Sequence, residues 1–328
     1  MNMTLHGGNP ENLYGLMNVA EPDKILDFST NTNILSWPVN INLDVEKLAS
    51  SYPDNECRKL RDFLSSKINI NPDRILFTNG INEAIFALSR IYIDNVGILQ
   101  PCYTDYSRAF RNLHDVFNLN EAGNYDTFIL SNPNNPTGKF TADLSLIIKN
   151  FPDTVFIVDE AYIDFLINAE PERLCDFKNV IILRSLTKIF HLSGARIGYV
   201  VADENIISEL KEHLPSWNVN SFAQELALYF LHDIEFYKRT RDFYRENVPL
   251  FVKNLRSSGF RVINSDVHYF LVRVNNDIKI IKYLLKNGIA VRHTRNFSGL
   301  DGKYIRVATR QPEENIYFVE TIKKAALS

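Results

Sequence analysis

Residues 127–162, "TFILSNPNNPTGKFTADLSLIIKNFPDTVFIVDEAY", run from one apolar, β-branched segment through a proline-rich loop and a helix-like stretch to a second apolar segment. "TFILS" (127–131) and "VFIVDEAY" (155–162) lack the polar alternation of a half-exposed strand and read instead as strands buried on both faces. With "ADLSLIIKNF" between them they form a strand–helix–strand unit, whose strands are parallel and whose crossover is right-handed. Ligands of such sheets bind beyond the carboxyl ends of the strands. "SNPNNPTGK" (131–139) and the acidic end of "VFIVDEAY" both fall there.

The same texture extends in both directions. "RILFT" (74–78), "NVGILQ" (95–100), "VIILRSL" (180–186) and "ARIGYVVA" (195–202) are further strands, and "NEAIFALSRIYI" is a further helix. The chain therefore reads as α/β with a mostly parallel sheet in a large domain over residues 36–230. Beyond it the pattern changes to a long helical segment, "DIEFYKRTRDFYRENVPLFVKNLRSSG", followed by "FRVINSDVHYFLVRV", "GIAVRHT" and "KYIRVAT". These imply a smaller α+β domain, built from 231–328 with the N-terminal residues 1–35.

Bulk properties narrow the function. The 328 residues are 45% hydrophobic and 23% charged, with a formal net charge of −3. No field of that size gathers nucleic acid or an anionic membrane. Asp242 and Glu246 interrupt the basic, aromatic run at 236–245, which reads as the solvated face of an amphipathic helix. Three cysteines, without metal-ligand spacing, imply neither a disulfide framework nor a metal site. The opening "MNMTLHGGNPENLYG" shows no basic segment followed by an apolar one, and no apolar run reaches the length of a membrane span, so the expected location is the cytoplasm.

Several segments at strand ends carry chemistry. "FTNGINEAI" passes from strand to helix through Asn79-Gly80, leaving the N–H groups of Gly80, Ile81 and Asn82 at a helix N-terminus, where they suit either a plain turn or an anion. In "VDEAY", Asp159 and Glu160 point to opposite faces, so one of them faces a site. "RSLTKIFHLSGARIGYV" (184–200) sets Lys188 among hydroxyl residues ahead of Gly-Ala-Arg. A lysine in that setting is either a surface residue or a buried amine with a lowered pKa.

Taken in order, "TNG", "PCY", "SNPNNPTG", "VDEAY", "SLTK…SGARIGY" and "YIRVATR" resemble the fold-type I pyridoxal-phosphate enzymes of the aminotransferase class I/II superfamily over essentially the whole chain. The resemblance implies a mixed, mostly parallel sheet of the seven-stranded type and pyridoxal 5'-phosphate as cofactor. It makes Lys188 the lysine that binds the cofactor aldehyde covalently, and Asp159 the partner of the ring nitrogen. Asn135 and Tyr162 match the donors to the ring oxygen. Gly80, Ile81, Asn82, Ser185 and Arg196 match the phosphate cradle, and Tyr103 the ring that stacks on the pyridine. Tyr52, in "SYPD", matches a tyrosine that reaches the phosphate of the neighbouring subunit, which implies a homodimer with composite sites. Arg306 matches the arginine that holds the substrate carboxylate.

The N-terminal "LHGGN" (5–9) and "ILDFSTNTN" (25–33) are most similar to the L-threonine-O-3-phosphate decarboxylases, although Ile34 stands where that group has proline. Histidinol-phosphate aminotransferases share the cofactor motifs but differ in this segment. The expected substrate is a small phosphorylated amino acid, threonine phosphate or serine phosphate. His6, Gly8, Asn9, Asn31 and Asn33, with Arg295 and Arg292, are candidates to meet its phosphate, as glycines admit close approach and the others donate. Read without the resemblance, residues 1–10 are a frayed tail and the asparagines are turn formers. A fold kept without catalysis, as a regulator or scaffold, is a third reading; the complete set Lys188, Asp159, Asn135 and Arg196 stands against it.

Overall fold

The computed structural model describes residues 6–38 and 41–327. Leu5, the first residue of the "LHGGN" segment, lies outside them. Twelve strands are present among the described residues: β1 (Leu26–Asp27), β2 (Ile75–Thr78), β3 (Val96–Leu99), β4 (Leu113–Val116), β5 (Thr127–Ser131), β6 (Val155–Asp159), β7 (Val180–Ser185), β8 (Gly198–Val201), β9 (Tyr269–Arg273), β10 (Ile289–Ala290), β11 (Arg292–His293) and β12 (Tyr304–Ala308). Seven of them form one sheet in the order β2-β8-β7-β6-β5-β3-β4. Its centre is parallel, and β8 runs antiparallel to both β7 and β2. The fold is thus the mixed, mostly parallel α/β sheet expected of the sequence.

Residues of β5 are buried throughout and those of β6 nearly so, which is why their sequences show no alternation. The edge strand β4, "LHDV", is partly exposed and polar, and carries no comparable signal. Helix Ile81–Ile91 turns Ala84, Ile85 and Leu88 toward the sheet and begins at the carboxyl end of β2.

Register gathers the strand ends. Thr78 of β2 and Ser185 of β7 both pair with Gly198, the first residue of β8. A Cβ at Gly198 would lie 2.8 Å from the Arg184 carbonyl oxygen and 3.1 Å from the Ile81 nitrogen. Only glycine lets the start of helix Ile81–Ile91 approach the end of β7 so closely.

Two hydrophobic cores are present. The first surrounds the seven-stranded sheet; the second joins Leu13, Met17 and Phe28 to Phe270, Ile281, Ile305 and Phe318. Helix Ile234–Ser257 serves both, with Phe236, Tyr244 and Val248 in the first and Phe251 and Leu255 in the second. A division at residue 230 therefore precedes the place where the cores part. Burial of side chains such as Leu13 and Met17 is worth about 1.5–3 kcal/mol each, so helix Pro10–Met17 is firmly docked and His6 is held four residues upstream of it. The parallel pairing of β1 with β10, extended by bonds from Phe28 N to Ala290 O and from Ala308 N to Phe28 O, carries Ser29–Asn31 alongside β12.

Candidate active site

Around Lys188 two compartments meet. The first, about 120 Å³, is lined by Gly80, Ile81, Asn82, Tyr103, Asn135, Asp159, Tyr162, Ser185, Lys188 and Arg196, together with Ala161 and Thr187. Carboxyl ends of β2, β5, β6 and β7 deliver most of these, as the topology requires. Gly80 has φ +71°, and a Cβ there would sit 2.7 Å from Arg196 Nη2. A small concavity is thus kept clear between a guanidinium and the first N–H groups of a helix of eleven residues. Ser185 Oγ and Thr187 Oγ1, 2.7 Å apart, close its other side.

Asp159 and Glu160 separate as strand geometry dictates. Glu160 is buried against Arg184 on the far face, while Asp159 faces the compartment and accepts from Tyr106 Oη at 3.1 Å and Ala161 N at 3.0 Å. Burial pushes its carboxyl up to about 6, opposed by those two hydrogen bonds and the charge of Lys188. Lys188 moves the other way. Burial first, and then the positive charges of Arg196 and Arg306, press its ammonium down to about 8, against the pull of Asp159. The site therefore holds an amine that loses its proton readily and a carboxylate charged at neutral pH. Asn132 and Asn134 lock the "SNPNNPTG" loop through Thr141, Pro101 and Thr137. Asn135 is turned inward, and its Oδ1 accepts from Arg306 Nη1 at 2.6 Å.

These residues fit pyridoxal 5'-phosphate. A cradle of N–H groups, hydroxyls and one arginine suits the phosphate, Asp159 suits a protonated ring nitrogen, Asn135 and Tyr162 suit the ring oxygen, and the half-buried Tyr103 suits the ring face.

The second compartment, about 110 Å³, is lined by His6, Gly7, Ser29, Thr30, Asn31, Arg292, Phe297 and Arg306, and shares Tyr103, Asn135, Tyr162 and Lys188 with the first. Arg306 is buried and also donates to Ser29 O at 2.7 Å; its Nε is buried without a hydrogen-bond partner, and the buried Asn31 side chain lies beside Tyr162. Arg292 lies over the ring of Phe297. Burial, and then the charge of Arg306, lowers its guanidinium to about 9. An unmatched guanidinium donor and two neighbouring guanidiniums make this compartment suited to anions.

Some sequence candidates lie elsewhere. Arg295 grips Asp277 with two bonds, of 2.7 and 2.6 Å, and is no part of this lining; the adjacent β-strand β11 carries Arg292 inward in its place. Asn33 is a scaffold residue, donating to Ile189 O and Thr240 Oγ1 while its backbone N–H bonds Lys188 O. Gly8 is exposed and donates to Ser29 Oγ, and it is Gly7 that borders the cavity. Asn9 caps helix Pro10–Met17 without a side-chain bond. Tyr52 is 80% exposed and stacks on Trp217, outside both compartments. Tyr106 and Asp105, next to the quoted "PCY", are contributors that the sequence reading missed.

The family profile described as aminotransferase class I and II matches residues 113–322. The chain belongs to that family. It is a pyridoxal-phosphate-dependent enzyme, in keeping with the fit of its first compartment. The adenosylcobalamin biosynthesis bifunctional protein CobDQ of Leptospira interrogans is 32% identical over 96% of this chain, which spans only 40% of that longer protein. The histidinol-phosphate aminotransferase of Caldicellulosiruptor saccharolyticus is 29% identical over 92% of each chain. Among solved structures, the L-threonine-O-3-phosphate decarboxylase of Porphyromonas gingivalis superposes with a TM-score of 0.80 at 25% identity, covering 87% of this chain and 93% of that one. Among the described residues, no helix is long and apolar enough to cross a membrane, and no group of three or more His, Cys, Asp or Glu is placed to hold a metal.

Proposed function

We propose that this enzyme decarboxylates a small O-phospho-L-amino acid, threonine phosphate or serine phosphate, to the corresponding amino-alcohol phosphate. The observation that carries the reading is the pair of buried guanidiniums, Arg292 and Arg306, on one small compartment beside Lys188. Two cations in a polar cavity of this size call for a compact molecule with two anionic groups. A phosphorylated amino acid has a carboxylate and a phosphate; histidinol phosphate has only the phosphate, and its imidazole would face His6, Gly7, Ser29, Thr30 and Asn31 in place of an apolar wall. The name of the solved decarboxylase neighbour supports the same choice.

On this reading Arg306 takes the carboxylate, oriented by Asn135 Oδ1 and Ser29 O. Arg292, His6 and the Gly7 backbone take the phosphate, whose binding energy orients the scissile bond. When bound, pyridoxal phosphate supplies the electron sink for the pair left on Cα as the carboxylate departs. Asp159, charged at neutral pH, keeps the ring nitrogen protonated and so keeps that sink deep. Lys188, with its ammonium near neutrality, delivers the proton that replaces carbon dioxide on Cα.

Carbon dioxide release from threonine phosphate and serine phosphate, without any keto acid, tests the proposal. It is run beside glutamate-dependent transamination of histidinol phosphate. Release without keto acid is expected. No release, with stoichiometric 2-oxoglutarate in the second assay, would establish an aminotransferase of the kind named among the relatives.

A further inference from the structure

Asp105 opens the short helix Asp105–Ala109 and is 2% exposed. Its carboxylate has four acceptor positions, and each is met by a different residue, His6 and Asn82 coming from distant parts of the chain and Tyr103 and Arg108 from its own stretch. Oδ2 accepts from Asn82 Nδ2 at 2.7 Å and from Tyr103 Oη at 3.0 Å. Oδ1 accepts from Arg108 Nη1 at 2.8 Å and lies 3.2 Å from His6 Nε2. Asn82 and Tyr103 line the cofactor compartment, whereas His6 lines the other one and rests against Tyr103 with ring centroids 5.5 Å apart.

We propose that Asp105 is a positioning residue whose single carboxylate latches the segment around His6 onto Tyr103 and Asn82, so that filling the cofactor compartment and closing the substrate compartment reinforce each other. The inference rests on the reading of the two compartments given above. Burial opposes the charge of Asp105, but hydrogen bonds from His6, Arg108 and Tyr103 outweigh it and hold the carboxyl well below the usual carboxylate range. A charged acceptor with every position occupied cannot turn toward one donor without releasing another. Cofactor held against Asn82 and Tyr103 fixes two of the donors, and thereby the oxygen that His6 meets. Gly7 adds to the fit: a Cβ there would run into Ser29 O, so the segment lies flat on the chain that follows β1. Coupling of this kind is reciprocal. What holds His6 in place when cofactor binds must also tighten cofactor when His6 is in place.

The test needs no substrate and no turnover. Cofactor affinity is titrated for the full-length apoprotein and for Asp105→Asn and His6→Ala, and amide exchange at residues 6–9 is followed by mass spectrometry with and without pyridoxal phosphate. Cofactor is expected to slow exchange in the unaltered protein by at least about fivefold, and His6→Ala to weaken cofactor by a similar factor, although His6 does not line the cofactor compartment. Asp105→Asn, which turns an acceptor into a donor facing two donors, should abolish the slowing. If that variant does not fold, Tyr103→Phe cuts the same link while keeping the ring, and should reduce the slowing. Cofactor affinity within about twofold in His6→Ala, together with exchange in either Asp105→Asn or Tyr103→Phe that still responds fully to cofactor, overturns the latch. A failure of the decarboxylase reading leaves these measurements unaffected, so the two ideas fall separately.

Discussion

At the scale of single residues, the site works by setting two ionisable groups against their habits. Lys188 loses its proton more readily than a free lysine because it is desolvated beside Arg196 and Arg306, and a neutral amine is the form that would attack the cofactor aldehyde if Lys188 has the role we propose. Lowering the pKa raises the neutral fraction at every pH below it. Capture of pyridoxal phosphate by the apoprotein, followed by stopped-flow absorbance, should therefore accelerate as pH rises and level off above a midpoint near 8; a midpoint near the ordinary value of 10.5 would show that these neighbours do not act on Lys188. The placement of this lysine in the compartment is legible in "SLTK" because its sequence neighbours Ser185 and Thr187 line the same cavity. Arg292 and Arg295 show the limit of that legibility. Three positions apart in one basic stretch, they differ only in that β11 pairs Arg292 with Arg306, while Asp277 claims Arg295 from another element.

Among elements, the cofactor compartment is a product of register. Strands β5, β6 and β7 are readable because burial on both faces leaves an unbroken apolar run, and their carboxyl ends lie on one edge by the rule for parallel sheets. The polar edge strand β4 and the two-residue strands β10 and β11 are too exposed or too short to announce themselves. Nor does sequence reveal that Gly198 stands between Thr78 and Ser185, which is what brings Gly80 against Arg196. Gly80→Ala tests that arrangement. With φ +71° and ψ 162°, the position lies where side chains other than glycine cost about 1–3 kcal/mol, and the new methyl would displace Arg196 from the cradle. Cofactor affinity should fall at least about tenfold, equivalent to one charge-assisted contact, with a cooperative unfolding transition retained. Unchanged affinity would place the phosphate elsewhere.

For the whole molecule, the exposed aromatics need an account. Tyr52 and Trp217 stack with centroids 4.5 Å apart on a surface outside the chain's own site, and Arg196, though it lines the first compartment, is exposed. A solvated aromatic pair is costly to leave in water, and a cradle open on one side holds phosphate weakly; a two-fold dimer that brings Tyr52 of one subunit to the cradle of the other relieves both. The match of "SYPD" to a tyrosine with that role points the same way. Inactive Tyr52→Ala and Lys188→Ala proteins, mixed under conditions of subunit exchange, should then regain activity, because each hybrid pairs one doubly damaged site with one intact site. Equal mixing with free exchange makes half the dimers hybrid, so activity should approach about one quarter of the unaltered level. Native mass spectrometry establishes that hybrids have formed. If they form and activity does not return, Tyr52 acts within its own subunit or not at all, and the stack with Trp217 is then a feature of the free surface, with no part in catalysis.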